Sequence, residues 1–148
     1  MWSTSVSFDK GHLSISGISA RTLADDFGTP AYVIDEDHFR DRARSWAHSL
    51  ETHFGISAGT IYYAAKAFIC TDVARWIKEE GIGIDVCTGG ELAAALAGGI
   101  DPQKIEVHGN NKSVAEIERA VQVGVKTIVM DSLFEIERVA TAAKKFGV

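Results

Sequence analysis

Ile61-Tyr62-Tyr63-Ala64-Ala65-Lys66, residues 61–66, is a short apolar run that closes on a lysine, and three later stretches repeat its design. Gly83-Ile84-Asp85-Val86 runs into Cys87-Thr88-Gly89-Gly90, Ile105-Glu106-Val107-His108 into Gly109-Asn110-Asn111, and Thr127-Ile128-Val129-Met130 into Asp131-Ser132. Helical patterns follow each run, over about 71–80, 89–98, 113–123 (capped by Ser113) and 133–146. The run ends near Lys66, Asp85, His108 and Asp131 are 19, 23 and 23 residues apart. Alternation at that pitch means parallel strands joined by crossover helices. A doubly wound sheet and a (β/α)8 barrel both produce it. Polar residues close every strand here, and a barrel places its chemistry at those ends, so the α/β fold expected is a partial TIM-type barrel of about four units.

A whole barrel takes roughly 250 residues and eight units. Four units leave strand edges unpaired and an apolar interior open, so the sequence reads as cut short after Lys144-Lys145-Phe146-Gly147-Val148. Upstream, the pattern changes. Val6-Ser7-Phe8 and Leu13-Ser14-Ile15-Ser16 are short alternating stretches punctuated by Gly11 and Gly17, which predicts strands with tight turns. Ser19 caps a short helix that Gly28 ends, Ala31–Ile34 reads as a further strand, and Asp35 opens a helix over about 36–52. The expected organisation is therefore residues 1–35 as strands of a second, β-rich domain completed by a missing carboxy-terminal half, and 36–148 as the first half of a barrel.

Composition excludes several classes. A net charge of −5 without a lysine and arginine cluster argues against a nucleic-acid partner. No apolar run approaches the ~18 residues of a membrane span, and the amino terminus lacks the basic-then-apolar pattern of a secretory signal. Cys70 and Cys87 have neither metal-type spacing nor a disulfide framework, and His12, His38, His48 and His53 are scattered, so no metal site is expected and the cytoplasm is the default compartment.

Four segments could carry chemistry. Lys66 closes an apolar strand; desolvation there would favour the neutral amine, which attacks aldehydes, although a strand-end lysine can equally reach out to solvent. Asp85 could orient a cationic group, and Thr88-Gly89-Gly90 allows backbone to approach a ligand closely. Glu91 falls in the first turn of the next helix, where the helix dipole favours a carboxylate in any case. His108 can donate a hydrogen bond or stack on a flat ring, and Asn110 offers donors and acceptors. Each of these junctions alone also reads as an ordinary capped turn, as does Asp131-Ser132. Dinucleotide fingerprint, P-loop, HExxH and nucleophile elbow are all absent.

Together the segments resemble one family. Tyr63-Ala64-Ala65-Lys66-Ala67-Phe68 is similar to the cofactor motif of the fold-type III decarboxylases. Its sequel, Asp85-Val86-Cys87-Thr88-Gly89-Gly90-Glu91-Leu92 and then His108-Gly109-Asn110-Asn111-Lys112, resembles the diaminopimelate decarboxylases within that group. Leu23 through Gly28-Thr29-Pro30 to Tyr32-Val33-Ile34-Asp35 is similar to the family's approach to its barrel. The resemblance runs from about residue 10 to the end and implies pyridoxal 5'-phosphate held by Lys66, with Asp85, Glu91, His108 and Asn110 near it. It implies decarboxylation of meso-2,6-diaminopimelate to L-lysine by a homodimer. It also implies that the phosphate loop, the group facing the pyridine nitrogen and the substrate-binding residues lie outside these 148 residues, so the chain alone should be inactive. The alternatives are another fold-type III enzyme, an ornithine or arginine decarboxylase or an amino-acid racemase, and a non-catalytic pyridoxal-phosphate-binding protein.

Overall fold

The computed structural model describes residues 3–55 and 60–148, in two compact units, Met1–Ser45 and Trp46–Val148. Residue 36 also begins a helix, as expected, which Asp35 caps.

The first unit holds an antiparallel meander of β1 (Val6–Asp9), β2 (His12–Ile15) and β3 (Ile18–Ser19), followed by α1 (Ala20–Phe27) and the start of α2 (Glu36–Phe54). Gly11 (φ 82°) and Gly17 (φ 78°) occupy the left-handed backbone that the two tight turns require. Ser19 accepts the Arg21 N–H at 3.2 Å and so caps α1. Residues 31–34 are not a strand. A short apolar run supplies β-prone side chains but not a ladder, and no neighbouring strand pairs with them among the described residues. Asp35 gathers the Ser5 hydroxyl, the Ser16 hydroxyl at 2.9 Å and the His38 N–H at 3.1 Å. The hydrogen bond from Ser5, ahead of that from His38, holds its carboxyl below the usual carboxylate range.

The second unit is a parallel four-stranded sheet, β4 (Tyr62–Ala64), β5 (Gly83–Val86), β6 (Ile105–Val107) and β7 (Thr127–Ile128), in sequence order. Helices α3 (Thr71–Glu79), α4 (Gly89–Ala97), α5 (Val114–Val123) and α6 (Leu133–Phe146) alternate with the strands. This is the partial barrel expected from the sequence. Side chains alternate across each strand. Ile84, Val86 and Ile105 are fully buried and Val107 is 4% exposed, on the face that β5 turns toward α3 and α4. Val73 and Ile77 of α3, Leu92 of α4 and Ile117 of α5 complete that core. Close helix packing has a specific device: a Cβ on Gly98 would sit 2.3 Å from the Ala74 Cβ.

The opposite face is different. Register aligns Ala64, Asp85, Glu106 and Thr127 in one row across all four strands. Gly83 pairs with Tyr62, and a Cβ there would lie 2.7 Å from the Tyr62 ring, so glycine makes room for the aromatic. Among the described residues, no helix is long and apolar enough to cross a membrane.

Candidate functional site

The carboxyl ends of the four strands, and the loops that leave them, bring the sequence candidates together. Lys66 lies in a single 3-10 turn, Ala65–Ala67, two residues beyond the Ala64 that pairs with Asp85. The Tyr63 hydroxyl donates to the Phe68 carbonyl at 2.8 Å and closes that turn. Burial, its largest cause, raises the Tyr63 pKa, so the phenol stays a donor at neutral pH. Lys66 itself is exposed, so the desolvation expected from its apolar neighbours is not supplied by the described residues. Ala65 before it is buried at 2% exposure, and the 3-10 turn that begins there carries the next side chain out of the packed layer.

Asp85 sits one strand over. Its side chain is 16% exposed, and one carboxylate oxygen, Oδ1, is buried without a hydrogen-bond partner. The other, Oδ2, lies 3.8 Å from His108 Nδ1, whose ring is 56% exposed. Glu106 stands beside them, and one donor atom from each of Asp85, Glu106 and His108 falls within 4.8 Å of the others. Sequence reasoning passed over Glu106, although its place two residues before His108 on a strand put it on the same face. Asn110 is exposed in the loop after His108, and the Cys87 thiol is pushed up by burial and then by the charges of Asp85 and Glu91.

The remaining loop groups are already engaged. Glu91 accepts the Cys87 N–H at 2.5 Å, so its carboxylate holds its own loop. Glu116 accepts Ser113 N–H at 2.9 Å and Gly89 N–H at 2.8 Å. Glu135 accepts Asp131 N–H at 2.8 Å. A first-turn glutamate thus clamps the loop in front of each of α4, α5 and α6, and Glu116 also takes the Gly89 N–H, a donor that a helix start otherwise offers to an anion. Ser132 makes no side-chain cap, so the β7–α6 loop depends on Glu135 rather than on the serine expected to cap it.

A primary amine at one strand end and an orphaned buried carboxylate oxygen on the next fit an aldehyde cofactor that carries a cationic or donor group. An apolar cavity of about 470 Å³ in the first unit, lined by Leu23, Phe27, Tyr32 and Ile34 among others, offers no such chemistry.

Residues 36–148 match the family described as pyridoxal-dependent decarboxylase, pyridoxal binding domain. The chain belongs to this family. Within the pyridoxal-dependent decarboxylases it is similar to the diaminopimelate decarboxylase of Mycobacterium tuberculosis, 50% identical over 149 residues that cover 100% of this chain and 32% of that protein. The Bacillus subtilis diaminopimelate decarboxylase is 39% identical over 93% of this chain and 31% of that protein. The crystal structure of the M. jannaschii diaminopimelate decarboxylase in complex with L-lysine superposes with a TM-score of 0.84 at 30% identity, covering 98% of this chain and 34% of that one. The chain therefore spans about a third of the length of the decarboxylases it matches.

Proposed function

We propose that this chain is the cofactor-bearing portion of an enzyme that decarboxylates meso-2,6-diaminopimelate to L-lysine and carbon dioxide, with Lys66 as the cofactor lysine. The observation that carries the proposal is an exposed primary amine, held in a turn by Tyr63, one strand from an Asp85 oxygen that lacks any partner. Similarity along the whole chain to diaminopimelate decarboxylases, and a relative whose crystal structure holds L-lysine, support the choice of substrate.

Bound pyridoxal phosphate supplies the electron sink for the pair released when carbon dioxide leaves. Lys66 contributes the amine that attaches the cofactor and, once released from it, a base or acid at the same place. Asp85 offers an acceptor fixed by its strand, which favours positive charge nearby. His108 and Asn110 lie on the solvent side of Asp85, where an imidazole or amide can border a flat ring. Glu91 acts at one remove by holding the Cys87 loop. In the longer polypeptide the enzyme works in the cytoplasm as a homodimer, while the 148 residues alone bind cofactor weakly and do not turn over.

The test uses the native polypeptide carrying these residues, purified from its source cells. Lysine should form from meso-diaminopimelate and no product from ornithine or arginine. Borohydride should trap the cofactor on Lys66 in a peptide map, and Lys66→Ala should abolish both signals while keeping the native circular dichroism. Turnover of ornithine or arginine instead, or a trapped lysine elsewhere, overturns the proposal.

A further inference from the structure

Lys112 is 2% exposed, one of two buried charged residues in the described chain, and nothing assigned above uses it. A lysine normally carries its ammonium out to water along a flexible stem. Here the ammonium turns inward and meets three acceptors: the Gly109 carbonyl, the Val129 carbonyl at 2.8 Å and Glu135 Oε2 at 3.0 Å. An ammonium has three N–H donors, so this set matches its capacity. Burial pushes the Glu135 carboxyl up, but the Asp131 N–H and the Lys112 ammonium outweigh that and leave it lowered, so Glu135 carries its negative charge at neutral pH.

The three acceptors belong to different parts of the site. Gly109 directly follows His108 and precedes Asn110. Val129 continues β7, bonding back to Val107 at 2.9 Å. Glu135 holds the Asp131 loop. Gly109 in turn lies against the preceding unit, where an added Cβ would be 3.1 Å from the Cys87 carbonyl oxygen. The ammonium therefore stands beneath the one loop that carries both His108 and Asn110 and ties it to the loop that follows. Apolar side chains of similar volume commonly stabilise an interior at least as well as a buried ion pair. What an ion pair with fixed directions adds is a single loop conformation.

We infer that Lys112 is a positioning residue for the cofactor site, acting through Gly109, Val129 and Glu135 to fix the loop that presents His108 and Asn110. The inference rests on the cofactor reading proposed above and deepens it.

The test is a titration of pyridoxal phosphate into the native polypeptide stripped of cofactor, with KM and kcat for meso-diaminopimelate measured alongside. Three proteins are compared below their unfolding temperatures: wild type, Lys112→Met, and Ile77→Ala, a core substitution on α3 with no tie to the loop. Lys112→Met should weaken cofactor affinity by about tenfold, since a loop displaced by even an ångström loses productive geometry. Ile77→Ala should lower the unfolding temperature yet leave that affinity within about twofold, because it acts on folding rather than placement. A loss under about threefold for Lys112→Met, or an equal loss for Ile77→Ala, overturns the inference. If Lys112→Met does not accumulate as folded protein, Glu135→Gln gives the same reading, because it removes the charge that Lys112 pairs with while keeping the acceptor oxygen that serves Asp131 N–H. Wild-type protein that takes up no cofactor at Lys66 refutes the proposed function and this inference with it. Wild type that binds while Lys112→Met is unchanged refutes the inference alone.

Discussion

The Glu116 carboxylate, in the first turn of α5, accepts the backbone N–H of Gly89 at 2.8 Å across one complete β/α unit. The same side chain closes a capping box with Ser113 through that residue's N–H at 2.9 Å and hydroxyl at 2.8 Å. One residue thus finishes its own helix and fastens the glycine turn of the unit before it. Glu116→Ala removes both, leaving a helix-start donor and the Gly89 N–H unmet, and should lower the unfolding free energy by about 2 kcal/mol. Urea unfolding of the 148-residue chain measures this, and a change below about 0.5 kcal/mol would contradict the assignment.

Acid should weaken the second unit through the same groups. Hydrogen bonds from the Ser113 and Gly89 N–H groups lower the Glu116 carboxyl from its ordinary 4.5. Glu135 is also lowered from 4.5, its bonds prevailing over burial. A carboxyl whose folded pKa lies below its unfolded one contributes stability that is fully present above 4.5 and lost as pH falls through the folded value. Stability should therefore be level above 4.5 and decline below it, and Glu116→Gln should make that decline shallower. Denaturant midpoints measured across this window decide it; an equally steep decline in Glu116→Gln would remove Glu116 from the account.

Two glycines of α4 and its end predict opposite outcomes. At Gly98 a methyl group would collide with Ala74, 2.3 Å from its Cβ and 3.0 Å from its backbone carbon. Gly98→Ala should cost about 1–3 kcal/mol by forcing α3 and α4 apart. At Gly90 the nearest atom to an added Cβ is Thr88 Oγ1 at 3.9 Å, and the residue is already helical. Gly90→Ala should stabilise the chain by about 0.4–1 kcal/mol, because it restricts the unfolded chain. Thermal melts of the two variants should move in opposite directions.

Tyr63→Phe tests the turn that carries Lys66. Loss of the bond to the Phe68 carbonyl should cost about 1 kcal/mol. If the phenol holds Lys66 in place, borohydride trapping of pyridoxal phosphate at Lys66 should also slow. Unchanged trapping with lowered stability would confine Tyr63 to a structural role.

Much of this arrangement was legible in the residues. Strand ends at Lys66, Asp85 and His108 could be read because apolar runs that stop on polar residues report both period and polarity. The helix starts at Ser19, Asp35 and Ser113 were readable because capping is local chemistry. Residues 31–34 misled because an apolar, β-prone run after a proline says nothing about a pairing partner. Lys112 and Glu135 gave no signal: 23 residues separate them, and a lysine followed by a serine cap looks like surface. Glu106 could have been read from its place two residues before His108, since alternation along a strand puts the two on one face.

What the sequence determined by itself is the order of units, the capped helices and a lysine placed at the end of the first barrel strand, because these depend on neighbours within a few residues. Only the tertiary structure decided that Asp85 keeps an oxygen without a partner, that Glu116 reaches back to Gly89, and that Lys112 lies buried among three acceptors. Those facts depend on parallel register between strands about twenty residues apart. Whether a charge ends in water or under a loop is fixed by the groups that packing brings around it, and a linear pattern does not specify them.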